Sequence, residues 1–471
     1  SFDGSYGYYN DCRPGIELNF STKQKPTNMK KLTLFLFTLV ISVTAFSQHE
    51  HHTMQDTMSK RTDTMKNNDF MHTMPSHAYS RSLPMSRNGS GTGWNPDASP
   101  MYMWMRSKAK TDWMFHGNIF LRYTSQDVFS SGSRGGEGFS SPNWFMAMMN
   151  RKVGSKGLLN ATAMISLDRI TDGGNGYPLL FQSGETYKGQ RLIDRQHPHD
   201  LFSALSIGYT QTLSKEMDVF VYVGYPGEPA LGAPAFMHRI SAMNNPDAPL
   251  GHHWQDATHI TFGTGTLGIR YKKFKAEGSV FTGREPDEER FGFDKPKFDS
   301  YSYRLSYSPT ANWTLQFSQG FIKSPESLEP GENVKRTTGS VLYARKLKSL
   351  SHISAAAIWG LNNKGADHQE HSFLLEGNYQ FSKNALYTRY EYVQKSKEEL
   401  DLDNSYPHRN FKIHGFSLGY NRQVLQIKKA DIAAGTQFTV NGVDKDLTLL
   451  YGKTPVGLQV YIQIRPRLHN H

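Results

Sequence analysis

The sequence predicts an all-β chain: a transmembrane, antiparallel, up-and-down β-barrel of about sixteen strands, preceded by a flexible N-terminal leader. Three observations predict it. The chain is poor in aliphatics and rich in aromatic rings, with 37% apolar residues overall but 28 Phe, 24 Tyr and 7 Trp beside 41 Gly. Soluble globular chains average roughly 45–50% apolar, so this balance suits a thin wall with water on one side better than thick helical cores. From Trp113 almost to the end, apolar and polar residues alternate with period two, as in strands with two unlike faces. The connections also alternate between short and long, a pattern of membrane barrels that a soluble sandwich has no reason to show.

The elements follow in order along the chain. Residues 1–28 have no periodic pattern and precede Met29, so they read as an upstream extension that is not native. Met29-Lys30-Lys31, the apolar run Leu32 to Val43 and the small residues around Ala45-Phe46-Ser47 form a secretory signal over 29–47. About a dozen apolar residues are too few for a spanning anchor. The single cysteine, Cys12, lies before this signal. The exported part therefore has no disulfide and no cysteine-based metal site. Residues 48–112 are polar, interrupted by Pro75, Pro84, Pro96 and Pro100, and read as a flexible Met/His-rich leader.

The barrel is expected over 113–465, with a short tail at 466–471. In the clearest strands Trp313, Leu315 and Phe317 alternate with Thr314, Gln316 and Ser318, and Tyr301, Tyr303 and Leu305 with Ser302 and Arg304. Strands are expected near 113–124, 143–153, 157–168, 200–213, 216–224, 258–271, 273–284, 299–308, 311–322, 334–347, 350–361, 369–381, 385–395, 412–423, 427–440 and 455–465. Each is close to the roughly 9–11 residues that a tilted spanning strand needs. Tight turns fall at Gly154-Ser155-Lys156, Ser214-Lys215, Lys272-Lys273, Pro309-Thr310, Lys348-Ser349, Ser382-Lys383-Asn384 and near Gln426, with mostly longer loops between them.

Signal, strand count and loop alternation together resemble the bacterial porin-like outer-membrane barrels over residues 113–465. The resemblance implies the bacterial outer membrane as location, outer-membrane lipid and small solutes or metal ions as partners, and no catalysis. It leaves a homotrimer open as the assembly. Such porins fold their third loop into the lumen. By order that loop is 225–257 here, with Pro226 to Pro234 as the constriction. Charges on the inward parity are then pore-lining: His116, Arg122, Arg270, Glu277, Arg304, Glu376, Arg389 and Glu391. They would select ions, or pair across strands to hold the wall.

Two groups could bind metal. The leader opens with His49, His51 and His52, and carries Met71, His72 and Met74 among repeated Thr-Met pairs. Thioethers suit Cu(I), and imidazoles suit Cu(II), Zn or Ni. This resembles the Met/His-rich leaders of copper-resistance outer-membrane proteins, which implies copper or another transition metal as ligand. The second group is His197, His199, Asp200, His238, His252, His253, Asp256 and His259, in two long loops flanking strands four to six. Two strand positions give roughly 10 Å, within which imidazoles can converge. Shared metal and a hydrogen-bonded network that stiffens the loops both account for them.

The formal charge of +11 lacks the clustered basic-aromatic surface of a nucleic-acid binder. No phosphate loop, nucleophile elbow or zinc-finger spacing is present. The expected function is passive or solute-selective diffusion, with transition-metal handling, copper first, as its refinement. The rivals are an outer-membrane hydrolase or metal-dependent enzyme using a rim His/Asp site, and a structural or adhesive surface barrel.

Overall fold

The computed structural model describes residues 75–469 except 349, 366 and 367. The upstream stretch, the signal and the leader to residue 74 lie outside the described residues, and with them His49, His51, His52, Met71, His72 and Met74. Sixteen strands build the wall. They are β1 Thr111–Ser125, β2 Asn143–Val153, β3 Gly157–Ile165, β4 Phe202–Ser214, β5 Met217–Gly224, β6 Thr264–Tyr271, β7 Phe274–Phe281 and β8 Ser300–Thr310. β9 Trp313–Lys323, β10 Asn333–Lys348, β11 Ser351–Gly365, β12 His368–Phe381, β13 Asn384–Lys395, β14 Phe411–Gln426, β15 Ala430–Gly442 and β16 Val456–Pro466 complete it.

Neighbours pair antiparallel in chain order, and β16 returns to β1 from Leu458↔Ser125 to Ile464↔Ile119, which closes the barrel. Closure satisfies every strand edge from within the sheet, as lipid requires. At the seam, β16 covers only the second half of β1. The first half is covered by the short strand Trp104–Lys108. Across the strand, Glu137–Ser140 extends β2 beyond Ser141-Pro142 and pairs with Arg122–Ser125. Proline cannot donate to the ladder, so the pairing is interrupted there while the register carries through unchanged.

Period two becomes two environments. Leu267, Tyr301 and Leu375 point outward at 69%, 61% and 56% exposure, whereas inward-facing Arg304 is 1% exposed. Near the short-turn rim the outer face carries Trp113, Tyr271, Phe274 and Trp313, and Phe274 stacks on Tyr307 with ring centroids 4.3 Å apart. An aromatic belt of this kind sits at the level of lipid headgroups.

Most strand boundaries shift by up to three residues, and two shift further. β6 starts at Thr264, not 258, because Ala257–His259 is a 3-10 turn that belongs to the preceding loop. β11 and β12 stay paired through Asn362↔Glu370 and Asn363↔Gln369. These residues are polar on both faces, so periodicity could not reveal the pairing.

The larger difference lies inside. The lumen holds segment 75–103 and loop 225–263. Residues 75–112, expected to be flexible leader, are ordered: Ser80 donates to Asp218 at 2.6 Å, Tyr79 to Asn160 at 3.4 Å, and Arg304 to Thr92 at 2.8 Å. These wall groups are buried, and the segment supplies part of their hydrogen bonding. Segment 226–234, expected as a constriction, lies against the inner wall, with Ala230 N–H on Ser279 and Gly232 N–H on Ser318, both at 2.8 Å. The rest of the loop continues across the lumen to the far wall.

The charges expected to line the pore or to pair across strands do face inward: Asp218 lies opposite Arg270, Glu277 opposite Arg304 and Glu376 opposite Arg389 on neighbouring strands, and others hold this filling. Arg122 pairs with Asp247 at 2.5 Å, and Glu376 takes Arg239 at 2.8 Å and Arg389 at 3.2 Å. Glu391 accepts from Leu250 N–H at 2.7 Å. Glu277 pairs with Arg304 and Lys275, and Arg270 with Asp218. His116 packs edge-on to Trp144. With so many charges taken out of water, partners on the loop are required; a lone buried charge would be far more costly.

Candidate metal centre

Two segments bring the histidines together. The first is Arg195-Gln196, paired with Tyr177-Pro178, which leads through His197-Pro198-His199 into β4. The second is the lumen loop, whose single helical turn His252–Gln255 packs on the inner faces of β10–β12. That turn sits against Gly360 of β11, where a Cβ would lie 2.4 Å from the Trp254 carbonyl oxygen. Gly232, at φ +92, approaches the other side: its Cβ would meet the Gln255 carbonyl at 2.2 Å. Asn362 donates to His253 O at 3.2 Å and Gln255 to Ser372 at 3.1 Å, fixing the turn from the wall.

Five imidazoles form a closed circuit. Ring centroids are 5.8 Å apart for His197–His199, 5.6 Å for His199–His259 and 4.9 Å for His259–His252. The circuit closes through His252–His253 at 5.3 Å and His253–His197 at 5.9 Å. All five are buried. One ligand nitrogen each from His197, His252 and His253 lie within 4.8 Å of one another. Two nitrogens on one tetrahedral zinc are about 3.3 Å apart, from a bond length near 2.05 Å, so small ring rotations separate this arrangement from a coordinated one.

The outer nitrogens are anchored. His199 Nδ1 donates to Asp168 at 2.7 Å, His259 Nδ1 to the Asp256 carbonyl at 2.8 Å, and His252 Nδ1 to the Asp256 carboxylate. His253 Nδ1 faces Glu285 at 3.5 Å. In contrast, Nε2 of His199, His253 and His259 is buried without a hydrogen-bond partner. Fixing Nδ1–H and leaving Nε2 bare is how a protein presents a histidine to a metal.

Burial favours the neutral ring at three of these histidines. Burial lowers His197 and His259 well below the ordinary imidazole range, and the neighbouring positive charges add to it. Burial also lowers His252, against the pull of Asp256. For His253 burial is outweighed by Glu285 and Glu185, which raise it. Burial would raise the Asp256 carboxyl, but His252 and Arg239 hold it below the usual carboxylate range.

Six histidines and two aspartates were expected as one group; five histidines meet. His238 stands apart, its ring 4.9 Å from Trp144 and 6.0 Å from His116. Asp200 pairs with Arg290 at 3.2 Å rather than facing the imidazoles, and burial pushes its carboxyl up to about 6 against that pairing. Asp256 orients His252 and His259. Sequence reading missed Asp168, Glu185, Glu285 and Arg239, which lie in four separate stretches and carry no local signal.

On the loop side a cavity of about 430 Å³ adjoins the circuit. Its lining includes Glu185, Glu285, Asp287, Glu288, Glu289, Glu326 and Glu399, with Arg191 and Arg284 as the cations. Two of these carboxylates reach the circuit itself, Glu185 to His197 and Glu285 to His253, each at 3.5 Å. Burial pushes Glu185 up to about 7, opposed by Arg290.

No protein-family profile matches the chain. No curated protein matches it either. Among solved structures, it is similar to the Salmonella typhi OmpF complex with daunomycin, at 8% identity and TM-score 0.47 over 77% of this chain and 100% of that one. It is also similar to OprB of Pseudomonas putida at high pH, with 11% identity and TM-score 0.46 over 75% and 94% of the two chains. The anion-selective porin from Comamonas acidovorans aligns at 10% identity and TM-score 0.43, over 75% and 99%.

Proposed function

We propose that the chain is a bacterial outer-membrane barrel of the porin type whose lumen serves transition-metal ions rather than general diffusion. On this reading it is exported behind the signal at 29–47 and its apolar outer face meets outer-membrane lipid. An even strand number puts both ends of the barrel on the periplasmic side, with the long loops outside. The observation that carries the metal reading is the histidine circuit with its bare Nε2 atoms. A buried acceptor left unsatisfied costs about 1–3 kcal/mol, and the circuit holds bare Nε2 atoms on His199, His253 and His259, the first and last of them neighbouring rings. Nitrogen donors of this kind suit Zn, Cu(II) or Ni, and the Met/His leader supports copper among them. The carboxylate-lined cavity outside the circuit favours a cation over a neutral or anionic substrate, which weighs against a hydrolase at the same histidines.

The test is calorimetric titration of the full mature chain in detergent with Zn(II) and with Cu(II) at neutral pH. One equivalent should be lost when His197→Gln and His253→Gln are combined. Equal stoichiometry and affinity in the two proteins would leave these histidines as a hydrogen-bonded brace.

A further inference from the structure

Below the histidine circuit, towards the short-turn rim, the lumen changes chemistry. One buried apolar cluster there contains Met85, Met101, Met114, Met146, Met148 and Met164, with Met103, Met105 and Met237 packed against it. Its other members are aromatic or alanine; it has no Leu, Ile or Val. The remaining apolar clusters of the described residues contain no methionine: three are built with Leu, Ile or Val, and the fourth is Phe120, Tyr387 and Tyr461. Methionine is a good filler of irregular gaps, but gap filling gives no reason for such segregation. Leu, Ile and Val specify a core better, and the larger clusters elsewhere among the described residues use them.

The register makes the thioethers converge. Met114 is the direct partner of Met148, and Met146 faces His116 on one side and Met164 on the other. Directly opposed residues have Cβ atoms about 4.5–5.5 Å apart. Met237-His238 of the lumen loop closes over this patch. A cavity of about 40 Å³ lies between them, bounded by Met146, Met148, Met164, Met237, His238 and, from the histidine circuit, His259. A site holding one water-sized species needs about 10–15 Å³ by this measure. A second cavity of about 90 Å³ continues past Met114 and Met101, where His116 Nε2 is buried without a partner.

We propose that Met146, Met148, Met164 and Met237, with His238, form a second metal station that takes a soft monovalent cation, Cu(I) in chemical class. Neutral thioethers bind soft, singly charged ions and discriminate against Zn(II) or Mg(II). The station adjoins the histidine circuit through His259, so an ion meets carboxylate, then imidazole, then thioether donors along the lumen. It stands on its own donors and does not depend on the circuit binding metal.

The experiment titrates the full mature chain in detergent, anaerobically, with Cu(I) held by a chromogenic chelator, and compares it with the Met146→Leu, Met148→Leu, Met164→Leu triple variant. Leucine preserves apolar bulk, and heat-modifiable migration reports the closed barrel. The variant should lose one Cu(I) equivalent, or bind it at least tenfold more weakly, and its copper X-ray absorption should lose sulfur scatterers. Zn(II) binding should stay as in the native chain. Unchanged Cu(I) stoichiometry, affinity and sulfur scattering in the folded variant would overturn the proposal and leave the methionines as packing. If the triple variant fails to close, Met237→Leu alone, outside the wall, is read in the same way. Loss of Zn(II) binding in the native chain with Cu(I) retained would sink the histidine reading and leave this one standing.

Discussion

The carboxylate of Asp256 offers the sharpest single perturbation. Its Oδ2 accepts two donors, Phe236 N–H and Arg239 Nη1, both at 2.9 Å, while Oδ1 accepts only His252 Nδ1. In Asp256→Asn one oxygen becomes an NH₂ group. Facing it towards Phe236 and Arg239 opposes donors to donors twice; facing it towards His252 does so once, and His252 can escape by changing tautomer. The amide then donates to Nδ1, and the His252 proton moves to Nε2, the atom that would ligate. Arg239 still has Glu376 at 2.8 Å, so no buried cation is stranded. Loss of an orienting partner behind a metal histidine typically costs 10–100-fold in affinity, or about 1.4–2.8 kcal/mol. Competition between the full chain and a chromogenic chelator for Zn(II), at neutral pH, reads this directly. Asp200→Asn, whose carboxylate serves Arg290 instead, is the matched control and should leave affinity unchanged. Native affinity in a folded Asp256→Asn protein would refute the tautomer argument.

Other outcomes follow from the same geometry. Leu267→Arg places a cation on the outer apolar band and should destabilise the bilayer-inserted barrel by about 2–4 kcal/mol if that face meets lipid; urea unfolding from vesicles measures it, and no change would argue against a lipid-facing surface. Gly232→Ala adds a Cβ against the Gln255 carbonyl at a positive φ, a strain on the order of 1–3 kcal/mol, and should loosen the lumen loop. Conductance steps in planar bilayers that the native chain lacks are the expected sign, and a native that already conducts like an open pore would contradict the filled lumen. Trypsin on intact cells should cut after exposed Lys297 in a long loop and spare Lys383 in the tight turn; the opposite order would invert the assigned orientation.

The wall was legible because lipid enforces period two: a strand with one face in hydrocarbon cannot hide its register. Trp313, Leu315 and Phe317 therefore declared their face at once. The polar ends of β11 and β12 did not, because above the lipid both faces meet water or protein and only backbone pairing holds them. Convergence of the loop histidines followed from hairpin geometry, since a two-residue turn returns β5 beside β4 and puts the starts of β4 and β6 at one rim. What no pattern conveyed was the depth of the loop. Arg122 and Asp247, or Arg239 and Glu376, are over a hundred residues apart, and charges that pair across a lumen look in sequence the same as charges lining an open one.

The methionines show where this kind of reading fails for a physical reason. Inward and outward faces are told apart by polarity, so an apolar residue on the inward face is assigned outward, or leaves the strand unassigned. Trp144 to Met149 reads Trp-Phe-Met-Ala-Met-Met, apolar throughout, and nothing in it says that Met146 and Met148 point inward while Phe145 is 36% exposed outside. The exception is informative once the register is known. In a water-filled barrel an inward thioether would be a cost without a return, since it neither solvates an ion pair nor meets lipid. Here four of them, on three adjoining strands, face a loop that brings Met237 and His238 to meet them. A lumen filled only for closure could have used the leucine, isoleucine and valine that fill it elsewhere. Sulfur at these positions is therefore better explained by what it can ligate than by the space it occupies.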